Sequence, residues 1–415
     1  MALRCGLLGR KLGHSYSPMI HEAFGLGYSY ELFEKEPRDI ANFLENGSWH
    51  GLNVTIPYKV DAMKFCTKLS PAASTIGSIN TMLRQPDGEV FGENTDCIGF
   101  EKMVAESGVD PARKKVLILG DGGSSRAVVY VMRKLGAGKI IKVGLRRKNN
   151  YGNISRHFDA QIIVNATPVG MYPGNGETLV NVTDFPRLEC VLDLIYNPAK
   201  TKLMLDAQKI GVAAVGGLIM LVGQAAAGAA VFSGGKQISA AKEENVLNLL
   251  RRKAENIVLI GMPGSGKTTI GQQLAEKLGR SFVDTDAEIE KVAGETILQI
   301  FQREGELGFR RHEAEVIRLT GRESGLVIST GGGCVTVPEN YNSLTQNSMI
   351  IFIQRDVAKL SRDGRPLSMG ADMNAMYKQR LPMYERFADI TVDNNHAPGD
   401  AVAGIIAARM DIKSQ

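Results

Sequence analysis

Cysteine is scarce and scattered in this chain. Cys5, Cys66, Cys97, Cys190 and Cys334 are odd in number, far apart and never arranged as C-x-x-C, which excludes a disulfide framework and points to free thiols in a reducing compartment, the cytoplasm. The six histidines have no metal-ligand spacing. Aromatic residues are only 6% of the chain and do not interleave with basic clusters, so the stacking-plus-charge signature of a nucleic-acid binder is lacking. A balance of 49 basic to 44 acidic residues, net +5, favours small anionic ligands mildly. The N-terminus, Met-Ala-Leu-Arg-Cys-Gly, shows no basic region leading into an apolar run, so no signal peptide is expected. One stretch approaches the length of a membrane span: residues 210–232 carry a single strongly polar side chain, Gln224. It is rich in Gly and Ala and broken at Gly216-Gly217, so it reads as a buried strand followed by a buried helix and not as a membrane segment.

At 415 residues the chain is too long for one core and implies two or three domains. Its most specific stretch lies at residues 256–278. An apolar run at 257–260 leads into Gly261, Gly264, Ser265, Gly266, Lys267, Thr268 and Thr269, followed by Ile270, Leu274 and Leu278 at helical spacing. Strand, glycine loop and helix in that order make a phosphate-binding loop. Backbone N–H groups and the helix N-terminus face the phosphates, Lys267 reaches the outer ones, and the Thr268 hydroxyl can sit on Mg²⁺.

The preceding half holds several short polar clusters after apolar runs. Residues 3–8 read as a strand, after which Ser15 and Ser17 precede a helix running to Phe24, with Ser17 as the expected N-cap and Pro18 at the first helical position. Further on come Asn53-Val54-Thr55-Ile56-Pro57-Tyr58-Lys59, Ile79-Asn80-Thr81 and Asn94-Thr95-Asp96. A strand at 115–119 then enters Gly120-Asp121-Gly122-Gly123-Ser124-Ser125-Arg126, a variant of the glycine pattern that receives a dinucleotide pyrophosphate. The next strand, residues 139–145, ends in Arg146-Arg147-Lys148 where an NAD site carries an acid, so NADP is favoured.

Together with Asn165-Ala166-Thr167-Pro168 and Gly217-Leu218-x-Met220-Leu221-Val222-x-Gln224, these motifs resemble the shikimate dehydrogenases over residues 1–250, in order. Residues 255–412 resemble shikimate kinase through the phosphate loop, Asp284-Thr285-Asp286, Phe309-Arg310-Arg311-His312-Glu313, Gly331-Gly332-Gly333, Arg365-Pro366-Leu367 and Arg380. The double resemblance implies an α/β chain of three domains: a discontinuous substrate-binding domain (1–97 and 217–250), a Rossmann-like NADP-binding domain (98–216) and a P-loop kinase domain (255–415), with a polar, partly helical linker near 234–255.

The first resemblance implies NADPH-dependent reduction of 3-dehydroshikimate, with Lys59 and Asp96 as the acid pair. Ser15 and Ser17 would hold the substrate carboxylate, and Thr55, Asn80, Asp96, Tyr196 and Gln224 the rest of the ring. Gly120, Gly122, Gly123, Ser124, Arg126, Arg146, Arg147 and Gly217 would serve the cofactor. Two departures stand out. Asp121 replaces the usual Ala and should repel a pyrophosphate unless it turns away, and the segment from 147 to 165 is short enough that a crossover helix is expected to be abbreviated or absent.

The second resemblance implies ATP-dependent phosphorylation of shikimate. The residues from Gly264 to Thr269 would hold ATP, Thr268 and Asp284 would hold Mg²⁺, and Asp286 would orient the attacking hydroxyl. Arg310, braced by Glu313, would bind the substrate carboxylate with Arg380, close to Gly332. Arg362 and Arg365 would belong to a short lid at 361–370 over ATP. The implied partners are small molecules, with no nucleic acid and no membrane, and the oligomeric state is not legible. Competing readings are an NAD-using quinate/shikimate dehydrogenase fused to the kinase, and one half kept as a non-catalytic binding module.

Overall fold

The computed structural model describes residues 3–13, 15–361 and 372–411. The chain divides into two compact units, Met1–Asn197 with Thr201–Leu250 and Pro198–Lys200 with Arg251–Gln415. Among the described residues, no helix is long and apolar enough to cross a membrane.

The first unit contains two sheets. The N-terminal sheet comprises β1 (Arg4–Gly9), β2 (Ser29–Glu34), β3 (Gly51–Val54), β4 (Lys68–Leu69), β5 (Thr81–Arg84) and β6 (Val90–Glu93), in the order β2-β1-β3-β5-β6-β4. β1 runs parallel to β2 and β3, and β5 pairs antiparallel with β3 and β6. Its connecting helices are α1 (Ser17–Phe24), α2 (Ile40–Asn46) and α3 (Pro71–Ile76), and α4 (Asp96–Glu106) leads away from β6. Ser17 is the first helical residue and not the cap: the cap is Tyr16, and Ser15 Oγ accepts the Ser17 N–H at 3.2 Å. A serine two residues upstream thus satisfies the first free N–H of the helix, and Ser17 does not cap it.

The second sheet is fully parallel, with β7 (Lys115–Leu119), β8 (Lys139–Val143), β9 (Ile162–Asn165), β10 (Cys190–Asp193) and β11 (Ala213–Gly216) in the order β11-β10-β9-β7-β8. Its central strands are continuous apolar runs because helices cover both faces. Val116, Leu117, Ile118, Ile162, Ile163 and Val164 are all fully buried. α5 (Gly123–Lys134) follows β7 and α6 (Lys202–Lys209) precedes β11. Between β8 and β9 the crossover is a 3-10 helix, Tyr151–His157, in agreement with the shortness of that segment. α7 (Leu218–Phe232) returns the chain to the first sheet, and small residues on both helices let α4 and α7 pack closely: a Cβ on Gly99 of α4 would lie 2.4 Å from the Met220 carbonyl, and one on Gly223 of α7 3.3 Å from Gly99 Cα.

α8 (Ala240–Ala254) occupies most of the expected linker, burying Val246, Leu247 and Leu250 with Ile20, Phe24 and Val222 of the first unit. One residue later the second unit opens its own parallel sheet. Its strands are β12 (Asn256–Ile260), β13 (Phe282–Asp284), β14 (Val327–Ser329), β15 (Ser348–Gln354) and β16 (Ile390–Asp393), in the order β13-β14-β12-β15-β16. Around it lie α9 (Lys267–Leu278), α10 (Thr285–Ala293), α11 (Ile297–Thr320), α12 (Asn340–Thr345), α13 (Met373–Phe387) and α14 (Pro398–Asp411). Every residue of β12 is buried.

Candidate active sites

Each parallel sheet has a switch point, and each glycine loop sits at one. β7 and β12 are the strands from which successive connections leave in opposite directions, which opens a crevice at their carboxyl ends.

In the first unit a cavity of about 190 Å³ is lined by Ser15, Ser17, Asn53, Thr55, Lys59, Asn80, Asp96, Ser124, Tyr196, Gly217 and Gln224, among others. The structure therefore brings together every substrate and acid–base residue expected from the sequence. It also places Ser124 and Gly217, expected at the cofactor, on the wall of the same cavity. Lys59 Nζ lies 2.5 Å from Asp96 Oδ2, with side-chain exposures of 13% and 7%. Such a pair persists out of water only where further hydrogen bonds support its charges, and Asp96 has them. Asp96 is the first residue of α4, where the helix dipole favours an anion, and its Oδ1 accepts from Asn80 Nδ2 at 2.9 Å.

Asn80 is the hub of this site. Its Nδ2 also donates to Gln224 Oε1 at 3.1 Å, and its Oδ1 accepts the Thr95 N–H at 2.6 Å. Its amide thus fixes Asp96 and Gln224. Asn53, not singled out as a site residue from sequence, lines the same cavity; it accepts from the Tyr30 hydroxyl at 2.7 Å and donates to Thr81 Oγ1 at 3.1 Å.

The glycine loop between β7 and α5 lies beside this cavity: a Cβ on Gly123 would stand 3.7 Å from Lys59 Cδ. The space at Gly122 is open, with nothing within 4 Å of where its Cβ would be. Arg126 turns away from the loop and donates to the Gly77 carbonyl at 3.0 Å, tying α5 to the end of α3. Asp121 also turns, onto Arg147 at 2.5 Å and Lys142 at 2.8 Å. Arg146 is exposed in the same turn as Arg147.

In the second unit a larger cavity, about 640 Å³, is lined by Lys267, Thr268, Asp284, Asp286, Arg310, Glu313, Gly331, Gly332, Gly333 and Arg380 together with apolar residues of α11. Gly266 has φ +96°, and a Cβ there would meet Asn394 Nδ2 at 2.5 Å, so both conformation and space demand glycine. Asn394, fully buried, donates to the Ser265 carbonyl at 2.7 Å and braces the loop. Lys267 Nζ donates to the Gly261 and Met262 carbonyls at 3.0 and 2.9 Å. The Thr268 hydroxyl donates to Asp284 Oδ2 at 2.9 Å, and Ser329 Oγ lies 3.5 Å from the same hydroxyl. Asp284 Oδ1 also caps α10 by accepting the Asp286 N–H at 3.1 Å.

Opposite the loop, Arg310 is held by Glu313 at 2.7 Å and Glu306 at 3.2 Å. Arg380 donates to the Gly332 carbonyl at 3.2 Å, which also accepts from the Tyr384 hydroxyl at 2.5 Å. Glu313 is completely buried, and burial pushes its carboxyl up to about 7 although Arg310 pulls the other way. The Nε atoms of Arg310 and Arg380 are buried without a hydrogen-bond partner among the described residues. Both side chains line one cavity, and two guanidiniums there suit a carboxylate-bearing ligand. Arg362, Arg365 and almost all of the expected lid lie outside the described residues.

Residues 7–82 match the family model for the shikimate dehydrogenase substrate binding domain, and residues 263–411 match that for shikimate kinase. The shikimate dehydrogenase (NADP(+)) of Clostridium perfringens is 33% identical over 266 residues, covering 59% of this chain and 97% of the relative. The chain belongs to the shikimate dehydrogenase family, with a shikimate kinase domain fused behind it. Among solved structures, a chorismate mutase/shikimate 5-dehydrogenase fusion protein from Clostridium acetobutylicum is similar to the dehydrogenase half at 34% identity and TM-score 0.57, covering 60% of this chain and 97% of that one. The shikimate 5-dehydrogenase of Listeria monocytogenes, solved in complex with shikimate and NAD, is 28% identical with a TM-score of 0.52, covering 59% and 96%.

Proposed function

We propose that the first unit reduces the ketone of 3-dehydroshikimate and the second phosphorylates the 3-hydroxyl of the shikimate so formed, with the residue roles given below. The chain is a bifunctional enzyme of the shikimate pathway using NADP(H) and ATP. The observation that carries the assignment of roles is the meeting of a buried Lys59–Asp96 pair, a serine pair and a dinucleotide loop around one small polar cavity.

The residues present fit the cofactor. The open face at Gly122 leaves room for a pyrophosphate, and Lys142 and Arg147 supply cations beside it. NADPH, when bound, supplies the hydride. The chain's own task is to hold the ketone and to protonate its oxygen. Ser15 and Ser17, 3.2 Å apart between hydroxyls, grip the substrate carboxylate. Gln224 and Thr55 hold ring hydroxyls, with Tyr196 closing the cavity. Lys59 gives its proton to the oxygen on which negative charge develops, while Asp96, fixed by Asn80, keeps the ammonium aimed.

In the second unit the buried Ser265 Oγ lacks a hydrogen-bond partner among the described residues, and the loop fits a nucleotide phosphate chain. Thr268 and Asp284 would hold Mg²⁺, whose charge offsets that of the phosphates. Asp286 orients the shikimate hydroxyl and accepts its proton, and Arg310 and Arg380 hold the carboxylate. Catalysis rests on positioning and charge, as phosphoryl transfer requires. The five free thiols, four of them fully buried within the two units, fit a cytoplasmic enzyme. Site-selective inactivation tests the scheme: Lys59→Ala should abolish the reductase and spare the kinase, and Lys267→Ala the reverse. Loss of both activities from either change contradicts it.

A further inference from the structure

The carboxylate of Asp121 occupies an unusual position. It is the second residue of the dinucleotide loop, one glycine beyond the end of β7, yet it reaches sideways to the end of β8. There its Oδ1 takes both Arg147 Nη2, at 2.5 Å, and Lys142 Nζ, at 2.8 Å. These are two of the cations at the end of β8, where a parallel dinucleotide fold meets the adenosine ribose, with Arg146 and Lys148 exposed beside them. The turn has little slack: a Cβ on Gly144 would lie 3.3 Å from Asp121 Cβ and 3.6 Å from Arg147 Cδ. Both cations hold the carboxyl low, at about 2, Arg147 contributing most, so the group is an anion at any working pH.

A 2′-phosphate arriving at this corner meets cations whose nearest partner is already an anion. It must either displace the carboxylate or sit beside it against like charge. A ribose bearing a free 2′-hydroxyl faces the opposite situation, because a carboxylate accepts its hydrogen bond. We propose that Asp121 is an internal counter-anion that lowers the affinity of this chain for a 2′-phosphorylated dinucleotide and so sets its selectivity between NADPH and NADH. The inference rests on reading the second sheet as the dinucleotide site and deepens that reading.

Direct binding separates the two. Dihydronicotinamide fluorescence is titrated on the full chain with NADPH and with NADH in turn, for the parent, Asp121→Asn, Asp121→Ala, and Asp121→Asn combined with Arg147→Ala. Asp121→Asn keeps the shape and removes the charge. It should lower the NADPH Kd roughly three- to tenfold, the size of a charge interaction at an exposed site, and leave the NADH Kd unchanged or weaker. Arg147→Ala in that background should abolish the gain. An NADPH Kd that is unchanged or raised in both single variants overturns the inference, because Asp121 would then be orienting Arg147 for the phosphate. A parent that binds neither dinucleotide overturns the cofactor assignment itself and this inference with it.

Discussion

Replacing Lys59 by alanine perturbs stability and chemistry by amounts that can be worked separately. The Lys59–Asp96 pair is nearly buried, and removing one partner of a buried ion pair typically costs about 3–5 kcal/mol because the other charge is stranded. Asp96 would not be fully stranded. It keeps the Asn80 amide at 2.9 Å and its place in the first turn of α4, each worth on the order of 1 kcal/mol to a carboxylate. A loss of about 1–3 kcal/mol is therefore expected. The chemical loss is larger: removing a positioned general acid costs roughly 10²- to 10⁴-fold in turnover. Trp49, the only tryptophan, lies in the first unit, so its fluorescence in a urea titration follows the dehydrogenase alone while circular dichroism follows both units. NADPH consumption with 3-dehydroshikimate and ADP release with shikimate are then measured on the folded variant. A reductase within tenfold of the parent refutes the acid role, and a reductase lost together with the Trp49 transition refutes the claim that the loss is chemical.

Three further outcomes follow from the kinase unit. A Cβ on Gly333 would stand 2.1 Å from Arg310 Nη2, so Gly333→Ala should push that guanidinium aside and raise the shikimate KM roughly tenfold or more, with a smaller effect on the ATP KM; equal changes in both would show that Arg310 does not serve shikimate. Glu313 is lifted from 4.5 to about 7 by burial, so the folded unit holds a proton that the unfolded chain releases. This contribution is complete below about pH 4.5 and is lost as pH rises through 7; Glu313→Gln should flatten that part of the urea-stability profile, and an unaltered slope would contradict the shift. Asp284→Asn removes a charge from the metal corner formed with Thr268 and should raise the Mg²⁺ concentration needed for half-maximal phosphorylation by about tenfold; an unchanged Mg²⁺ dependence would remove Asp284 from the metal site.

How much of this was legible depended on how far apart in the chain the cooperating residues lie. The phosphate loop and the Gly120 loop are contiguous, and their chemistry follows from strand, glycines and helix in sequence. The short crossover after β8 is foreseen only against the longer segment usual in the resembled family, since the run between Val143 and Ile162 could by itself hold a helix. The substrate cavity needed the family motifs, because Ser15, Lys59, Asp96 and Gln224 come from four separate elements. The bracing groups were not legible at all. Tyr384 reaches Gly332, Asn394 reaches the Ser265 carbonyl, and Ser329 approaches Thr268 across 52, 129 and 61 residues respectively, and nothing local marks them. A local rule also misled: Ser17 is a good cap by type, but the helix starts on it, with Tyr16 at the cap position and Ser15 Oγ accepting the Ser17 N–H. Asp121 stands out as an intruder by its charge, but its cationic partners meet it only once β8 is folded against β7.

The most direct test of the account is one reaction vessel holding the purified full chain, 3-dehydroshikimate, NADPH, ATP and Mg²⁺, with NADPH loss and ADP release followed separately. The account predicts that both proceed, that ADP release depends on NADPH being present, and that shikimate 3-phosphate accumulates. If added shikimate is phosphorylated but 3-dehydroshikimate leaves NADPH untouched, the assignment of the Lys59–Asp96 cavity as a reductase site is contradicted.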